Sequence, residues 1–243
     1  MKNLLNNSRF KLIALIIQSL LCSISIWSRT KGPNLVFVHV PKTAGTSIIN
    51  ELKSKIGLQL LKKTSHFLNF KNKGSVTFGH VSYLDLLRLG VINNSFHKSA
   101  YKFCIVRNPY HRIVSLFNYF KDTKIINQNI NFENFLDNVY LKRPPIGIYN
   151  HLGISQSNPQ VNWIIDSNGK FLVDDIFKIE EIEMLTNTFK KKFKINLNIK
   201  KYNQSNKHIT FKEIQKKRSI IEKIETIYGR DFDLLGYKRL EKK

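Results

Sequence analysis

The sequence predicts an α/β fold, a parallel sheet with helices on both faces, and three observations carry that expectation. Residues 35–40, 103–106 and 171–177 are apolar runs with little two-residue alternation, the pattern of strands buried on both sides. Each run gives way to a proline-containing or acidic break and then to a segment of helical spacing. No repeat or linker divides the 243 residues, which bounds the chain to one core and a short appendage.

In chain order, residues 1–31 form a tail and residues 32–243 the folded domain. Within the tail, residues 12–27 are apolar apart from Gln18 and serines and follow Lys2, Arg9 and Lys11. At slightly under the roughly 20 residues of a bilayer span, the run reads first as an uncleaved signal anchor, ahead of a cleaved signal peptide or a peripheral helix. Arg29 and Lys31 on its far side leave the charge rule only a small bias toward a cytosolic N-terminus. The first strand, 35–40, stops at Pro41, and IINELKSKI then has helical spacing up to Gly57. A short strand at 76–79 presents His80 at its end and leads into a helix over 83–89 closed by Gly90. The strand at 103–106 is followed by Asn108 as an N-cap and Pro109 in a first helical turn. Asn131 caps a helix over 132–139, and RPPIG at 143–147 is a loop. After the strand at 171–177 comes a helix over 180–193. Thr210 and Glu213 form a capping box that opens a helix running to Tyr228 and stopping at Gly229.

Two of these strand-to-helix turns carry chemistry. In NLVFVHVPKTAGTS (residues 34–47) the turn holds Thr43, Ala44, Gly45, Thr46 and Ser47, whose small side chains leave their N–H groups open to a ligand. A helix start favours phosphate or sulfate, and Lys42 adds a full charge. In YKFCIVRNPYHRIVSLFNYF (residues 101–120) Arg107 stands at a strand end, and Ser115 lies two turns along the helix, so guanidinium and hydroxyl can converge on one phosphate. Arg112 is a candidate third contact. Two cradles in one small domain point to a ligand with two anionic ends.

The net charge of +23, from 40 Lys and Arg against 17 Asp and Glu, suits a polyanionic partner. Lysine is nevertheless abundant on solvated faces such as 190–194, which blunts that inference. Cys22 and Cys104 lie in apolar segments with nothing to pair them, so no disulfide framework is expected. His39, His66, His97, His151 and His208 show no metal-site spacing and read as packed or solvated.

PKTAGTS resembles the 5′-phosphosulfate loop of the family 2 (Golgi-type) carbohydrate sulfotransferases, and Arg107 with Ser115 is similar to their 3′-phosphate motif, in the family's order. Between them, FGHVSYLDLLRLG (residues 78–90) closely resembles the segment that carries the catalytic histidine in the heparan sulfate and uronyl 2-O-sulfotransferases. More loosely, FLVDDIFKIEEIEML (171–185), the NQS at 203–205 and DFDLLGY (231–237) look like the rest of that domain. The resemblance implies a P-loop-NTPase-like parallel sheet flanked by helices, the sulfotransferase fold. It implies 3′-phosphoadenosine 5′-phosphosulfate (PAPS) as donor, with no metal, and a polysaccharide, glycosaminoglycan-like or glycolipid acceptor. His80 would be general base and Lys42 would offset developing charge. Residues 43–47, Arg107, Ser115, Asn203 and Ser205 would hold the nucleotide. Phe78 stands where those enzymes carry a second histidine, and the chain lacks the long acceptor loops of the mammalian members. The expected place is a single-pass membrane protein, in the Golgi with a lumenal domain if eukaryotic, at the inner membrane or in the cytoplasm if bacterial.

Two rival readings remain at this level. A P-loop kinase shares the strand, loop and helix, but its GxxxxGK[ST] puts lysine at the end of the loop, whereas Lys42 precedes the small residues. A catalytically inactive, membrane-tethered protein holding acidic glycan or nucleic acid would have little reason to keep all three motifs, and no nucleic-acid partner is expected.

Overall fold

The computed structural model describes residues 32–141, 156–199, 206 and 208–241. Its strands are β1 Leu35–Val38, β2 Gln59–Leu60, β3 Ser75–Thr77, β4 Tyr101–Val106 and β5 Asp175–Lys178, all parallel in the order β2-β3-β1-β4-β5. The first helices are α1 Gly45–Ile56, α2 Thr64–Leu68, α3 Tyr83–Arg88, α4 Asn94–Ser99 and α5 Pro109–Asp122. They are followed by α6 Phe132–Leu141, α7 Ile182–Phe193, α8 Phe211–Ile214, α9 Arg218–Ile227 and α10 Gly229–Leu235.

Strand alternation distributes the core. Leu35 and Phe37 of β1 join Phe103 and Ile105 of β4 against Leu52 of α1 and Phe189 of α7, while Val36, Val38, Cys104 and Val106 face Phe67, Tyr83, Phe96 and Trp163 on the other side. Both faces are therefore buried, as the apolar runs require. A third cluster, built by α5, α6, α8, α9 and α10, packs outside the sheet. The chain leaves β1 toward β2 on one side and later crosses from β3 to β4 on the other, so the topological switch lies at β1. Ligands in open parallel sheets bind beyond the carboxyl ends of the strands at such a switch.

The expected parallel sheet between helices is present, with shifted boundaries and additions. β1 ends at Val38, two residues before the expected limit, and β4 begins at Tyr101, where its N–H donates to Asn34 O at 2.9 Å. β5 covers 175–178 and not 171–177, because Phe171 pairs with Ile165 in an isolated antiparallel bridge before the chain enters the sheet. The expected helix over 210–228 is two pieces: the Thr210 and Glu213 capping box is present, but α8 packs on α5 and α9 chiefly on α6. Gly229 opens α10 where it was expected to end a helix. β2, α2, α4 and the 3-10 turn Gln160–Trp163 have no clear periodicity in the sequence. The loop at 143–147 and the apolar run at 12–27 lie outside the described residues; among the described residues no helix is long and apolar enough to cross a membrane.

Asp231 on α10 explains why the C-terminal helix belongs to the sheet. Its fully buried carboxylate accepts from Gln160 N at 2.9 Å, Val161 N at 3.1 Å and Gln160 Nε2 at 3.2 Å. Removing it strands three buried donors, each worth roughly 1–3 kcal/mol when left unpaired. Asp231→Ala is expected to lower the unfolding free energy of the full chain by about 3 kcal/mol or more, with Asp231→Asn losing less; urea unfolding measures both.

Candidate functional site

The turn after β1 differs in its backbone from the helix starts of α3, α4 and α5. Ser82 caps α3, Asn93 caps α4 and Asn108 caps α5 through side-chain oxygens from negative-φ positions, whereas α1 starts on a left-handed Ala44 with no side-chain cap and no acidic residue in its first turn. Ala44 (φ 64°) and Lys42 (φ 67°) both hold left-handed backbone, which costs about 1 kcal/mol or more for a side-chain-bearing residue. Left-handed positions of this kind can turn loop N–H groups toward an anion, and the loop stands at the positive end of a 12-residue helix. Thr43 is fully buried, and its hydroxyl donates to Val40 O at 2.9 Å, which commits it to the loop itself. Ser47 N–H turns back to Ala44 O at 3.0 Å.

His39 joins this loop to the next strand end. A Cβ on Gly45 would stand 1.8 Å from His39 Nε2, so the first residue of α1 is glycine because the imidazole lies against its Cα. His39 stacks on Phe37 and lies 4.2 Å, centroid to centroid, from the ring of His80. His80 Nδ1 is 3.0 Å from His39 O. A carbonyl only accepts, so Nδ1 carries the proton and Nε2 is the basic nitrogen. Burial, and then the charges of Arg112, Lys42 and Lys62, push the His80 pKa down to about 4 against the pull of that hydrogen bond. Burial and the neighbouring His80 hold His39 well below the ordinary histidine value.

At the end of β4, Arg107 is gripped by its backbone: its N–H donates to Gln160 Oε1 and its C=O accepts from Gln160 Nε2, both at 2.8 Å. Gln160 is in turn held by Asp231, so α10 fixes Arg107 from behind. Burial lowers the Arg107 pKa, with Glu180 the nearest opposing charge. Arg112, a candidate phosphate contact by sequence, is structural instead. It is 1% exposed and donates to Pro41 O at 3.0 Å, Asn158 O at 3.1 Å and Gln156 O at 2.7 Å, which spends the guanidinium on carbonyls.

Those bonds lay α5 across the first loop. One helical repeat beyond Arg112, the Tyr119 ring carries the Lys42 ammonium 4.0 Å from its centroid. Ser115 is within about 60° of the Arg112 to Tyr119 line around the helix, on its loop-facing side. Desolvation, then the charge of Arg107, lowers the Lys42 pKa to about 8, with Asp122 pulling the other way. Asn203 and Ser205 lie outside the described residues. Directly after them, Asn206 N donates to Asp122 Oδ2 at 2.9 Å and Ile209 N to Asn118 Oδ1 at 3.1 Å, tying that segment to α5.

Across the carboxyl edge, the strands present Lys62 and Lys63 after β2, His80 after β3, Lys42 after β1, Arg107 after β4 and Glu180 after β5. Four cations and an imidazole thus meet two nearby carboxylates, Asp122 and Glu180, a balance that suits an anion. Among the described residues no three His, Cys, Asp or Glu side chains converge on a point that could hold a metal ion. Sequence reasoning missed the roles of His39, Gln160 and Tyr119. The adjacency of His39 to a six-residue-distant glycine was the one readable signal; the other two are set by tertiary contacts.

A family model, Sulfotransfer_2, described as Sulfotransferase family, matches residues 28–238. No curated protein matches the chain.

His80 gives the site a pH signature. The unfolded chain takes a proton near 6.5 that the folded chain refuses until about 4, and His39 acts in the same direction. Stability is therefore full above about 6.5 and is lost as pH falls toward 4. Urea midpoints measured across that window are expected to fall with pH, with a shallower slope in His80→Asn, whose amide can still donate to His39 O.

Proposed function

The chain belongs to the sulfotransferase family, enzymes that transfer sulfate, and on that premise we propose that it moves a sulfuryl group from PAPS to a hydroxyl of a carbohydrate acceptor. The family generally uses this donor. The observation that carries the reading is the His39 carbonyl: it fixes the His80 tautomer from within the same loop that presents Lys42.

The donor's two anionic ends fit the two cradles. Loop 42–47 and the start of α1 would hold the 5′-phosphosulfate, and Arg107 with Ser115 the 3′-phosphate, so the nucleotide spans β1 and β4. Asn203 and Ser205, three and one residues before Asn206 in the sequence, are the candidates to close over it. In-line transfer then requires the acceptor on the other side of β1, over β3 and β2. His80 Nε2 takes the hydroxyl proton as the acceptor oxygen bonds to sulfur and the sulfur to phosphate-oxygen bond breaks. Lys42 offsets charge arriving on the bridging oxygen, and adenosine 3′,5′-bisphosphate leaves. No step asks for a metal, since the lysine and the helix end supply positive charge. Lys62 and Lys63, exposed at the acceptor side, favour a glycan with an acidic group beside the reacting hydroxyl, such as a glycosaminoglycan-like chain.

Transfer of labelled sulfate to a panel of desulfated glycans tests the activity. His80→Ala is expected to bind adenosine 3′,5′-bisphosphate normally and to lose transfer by about 10²-fold or more. Arg107→Ala should weaken that binding about tenfold or more, as loss of a charge-assisted contact predicts. Unchanged binding in Arg107→Ala, or full turnover in His80→Ala, would remove the residue from its role. The free-enzyme values also bound kcat/KM: an acid limb near 4 as His80 takes a proton, and a basic limb near 8 as Lys42 loses one.

A further inference from the structure

The edge of the sheet away from the site, where the strands begin, carries a second charged surface. α1 and α7 pack side by side on one face through Leu52, Ile56, Leu185 and Phe189, and both end at this edge. Their last turns expose Lys53 and Lys55, then Lys190 and Lys191, with Lys194 as the α7 cap. Lys190, Lys191 and Lys194 line a shallow groove with Asn187 and Asn196. The acidic residues of that region are turned elsewhere: Glu180, Glu181 and Glu183 lie at the opposite end of α7, Glu51 accepts from Asn198 N, and Asp174 and Asp175 engage Lys102 and Tyr101. A lysine at a helix end offsets that helix's dipole, which explains each pair alone. It does not explain why two such ends adjoin where the chain enters.

The entry is fixed at that point. A Cβ on Gly32 would stand 2.6 Å from Ile56 O at the end of α1, Pro33 O accepts from Ser75 Oγ at 2.8 Å, and Asn34 Oδ1 accepts from Gly74 N at 2.8 Å. Gly32 therefore stands beside the end of α1 that carries Lys53 and Lys55, and in the sequence the apolar run at 12–27 ends five residues before it.

We propose that the lysines at the ends of α1 and α7 rest on an anionic bilayer surface, holding the domain upright with its site facing away. Lysines near such a surface contribute roughly a fivefold gain in partition each. The six residues of β4 set the site about 20 Å above that edge, beyond the Debye length of roughly 8–10 Å, so lipid charge does not compete for Lys42 and Arg107. An acceptor polymer can then approach without meeting the membrane.

The test uses the full chain in vesicles of neutral phosphatidylcholine, or of the same lipid with phosphatidylserine, and follows amine labelling by mass spectrometry. Anionic lipid is expected to slow labelling of Lys53, Lys55, Lys190, Lys191 and Lys194 about threefold or more at low salt, to leave Lys62, Lys63, Lys212 and Lys216 unchanged, and to lose the effect near 1 M salt. K190Q/K191Q/K194Q should abolish the protection of Lys53 and Lys55 while adenosine 3′,5′-bisphosphate binds as before. Equal labelling in the two vesicle types overturns the proposal. So does stronger protection of the same lysines by a soluble acidic polysaccharide, which would assign the edge to a glycan.

Discussion

A buried arginine that donates to carbonyls, with the Asp231 carboxylate acting on it through space, holds the two halves of the site together. Arg112 lies on α5, the helix that follows Arg107, yet its guanidinium ends on the carbonyl of Pro41 in the first loop and on Asn158 and Gln156 in the turn before the 3-10 segment. Trp163 and Tyr228 flank it at about 5.8 and 5.9 Å. Three carbonyl dipoles satisfy the donors without cancelling the charge. The first cradle, the second cradle and the C-terminal helices are thereby locked in one arrangement, and the charge still contributes to the field that lowers His80.

That economy of counter-ions recurs. Lys42 rests on an aromatic face, Arg107 is held by an amide pair through its backbone, and α1 begins without an acidic cap. In each case a group that could have neutralised the positive charge is replaced by one that only positions it. Burial first, and the resulting repulsion after it, lowers the pKa values of Lys42 and His80, and a bound anion would relieve that repulsion. Preorganised charge of this kind is stored in the fold and released on binding.

How much of this the sequence disclosed follows from range. The first loop, Arg107 at a strand end and the Asn108 cap are local patterns, and they stand where the sequence put them. The parallel sheet was legible because both-face burial leaves continuous apolar runs. What failed was everything fixed across the chain. Arg112 reads as a candidate phosphate contact three residues from Pro109, and only contacts 44 to 71 residues away turn it inward. Gln160 and Asp231 have no pattern at all, since their meaning is their mutual distance. Gly229 reads as a helix stop because a glycine usually is one; Asp231, two residues on, draws the backbone into another turn instead.

The contact between His39 and Gly45 makes two positions one hereditary unit. The glycine is demanded by the neighbour's ring and not by its own backbone, since its φ is ordinary and the strained positions are Lys42 and Ala44. A lineage could admit alanine at 45 only after shrinking the side chain at 39, and a shrunken residue there would still offer the carbonyl that sets the His80 tautomer. The backbone function of position 39 is thus insulated from its side chain, and covariation of 39 with 45, independent of 80, is the trace such a constraint leaves among related chains.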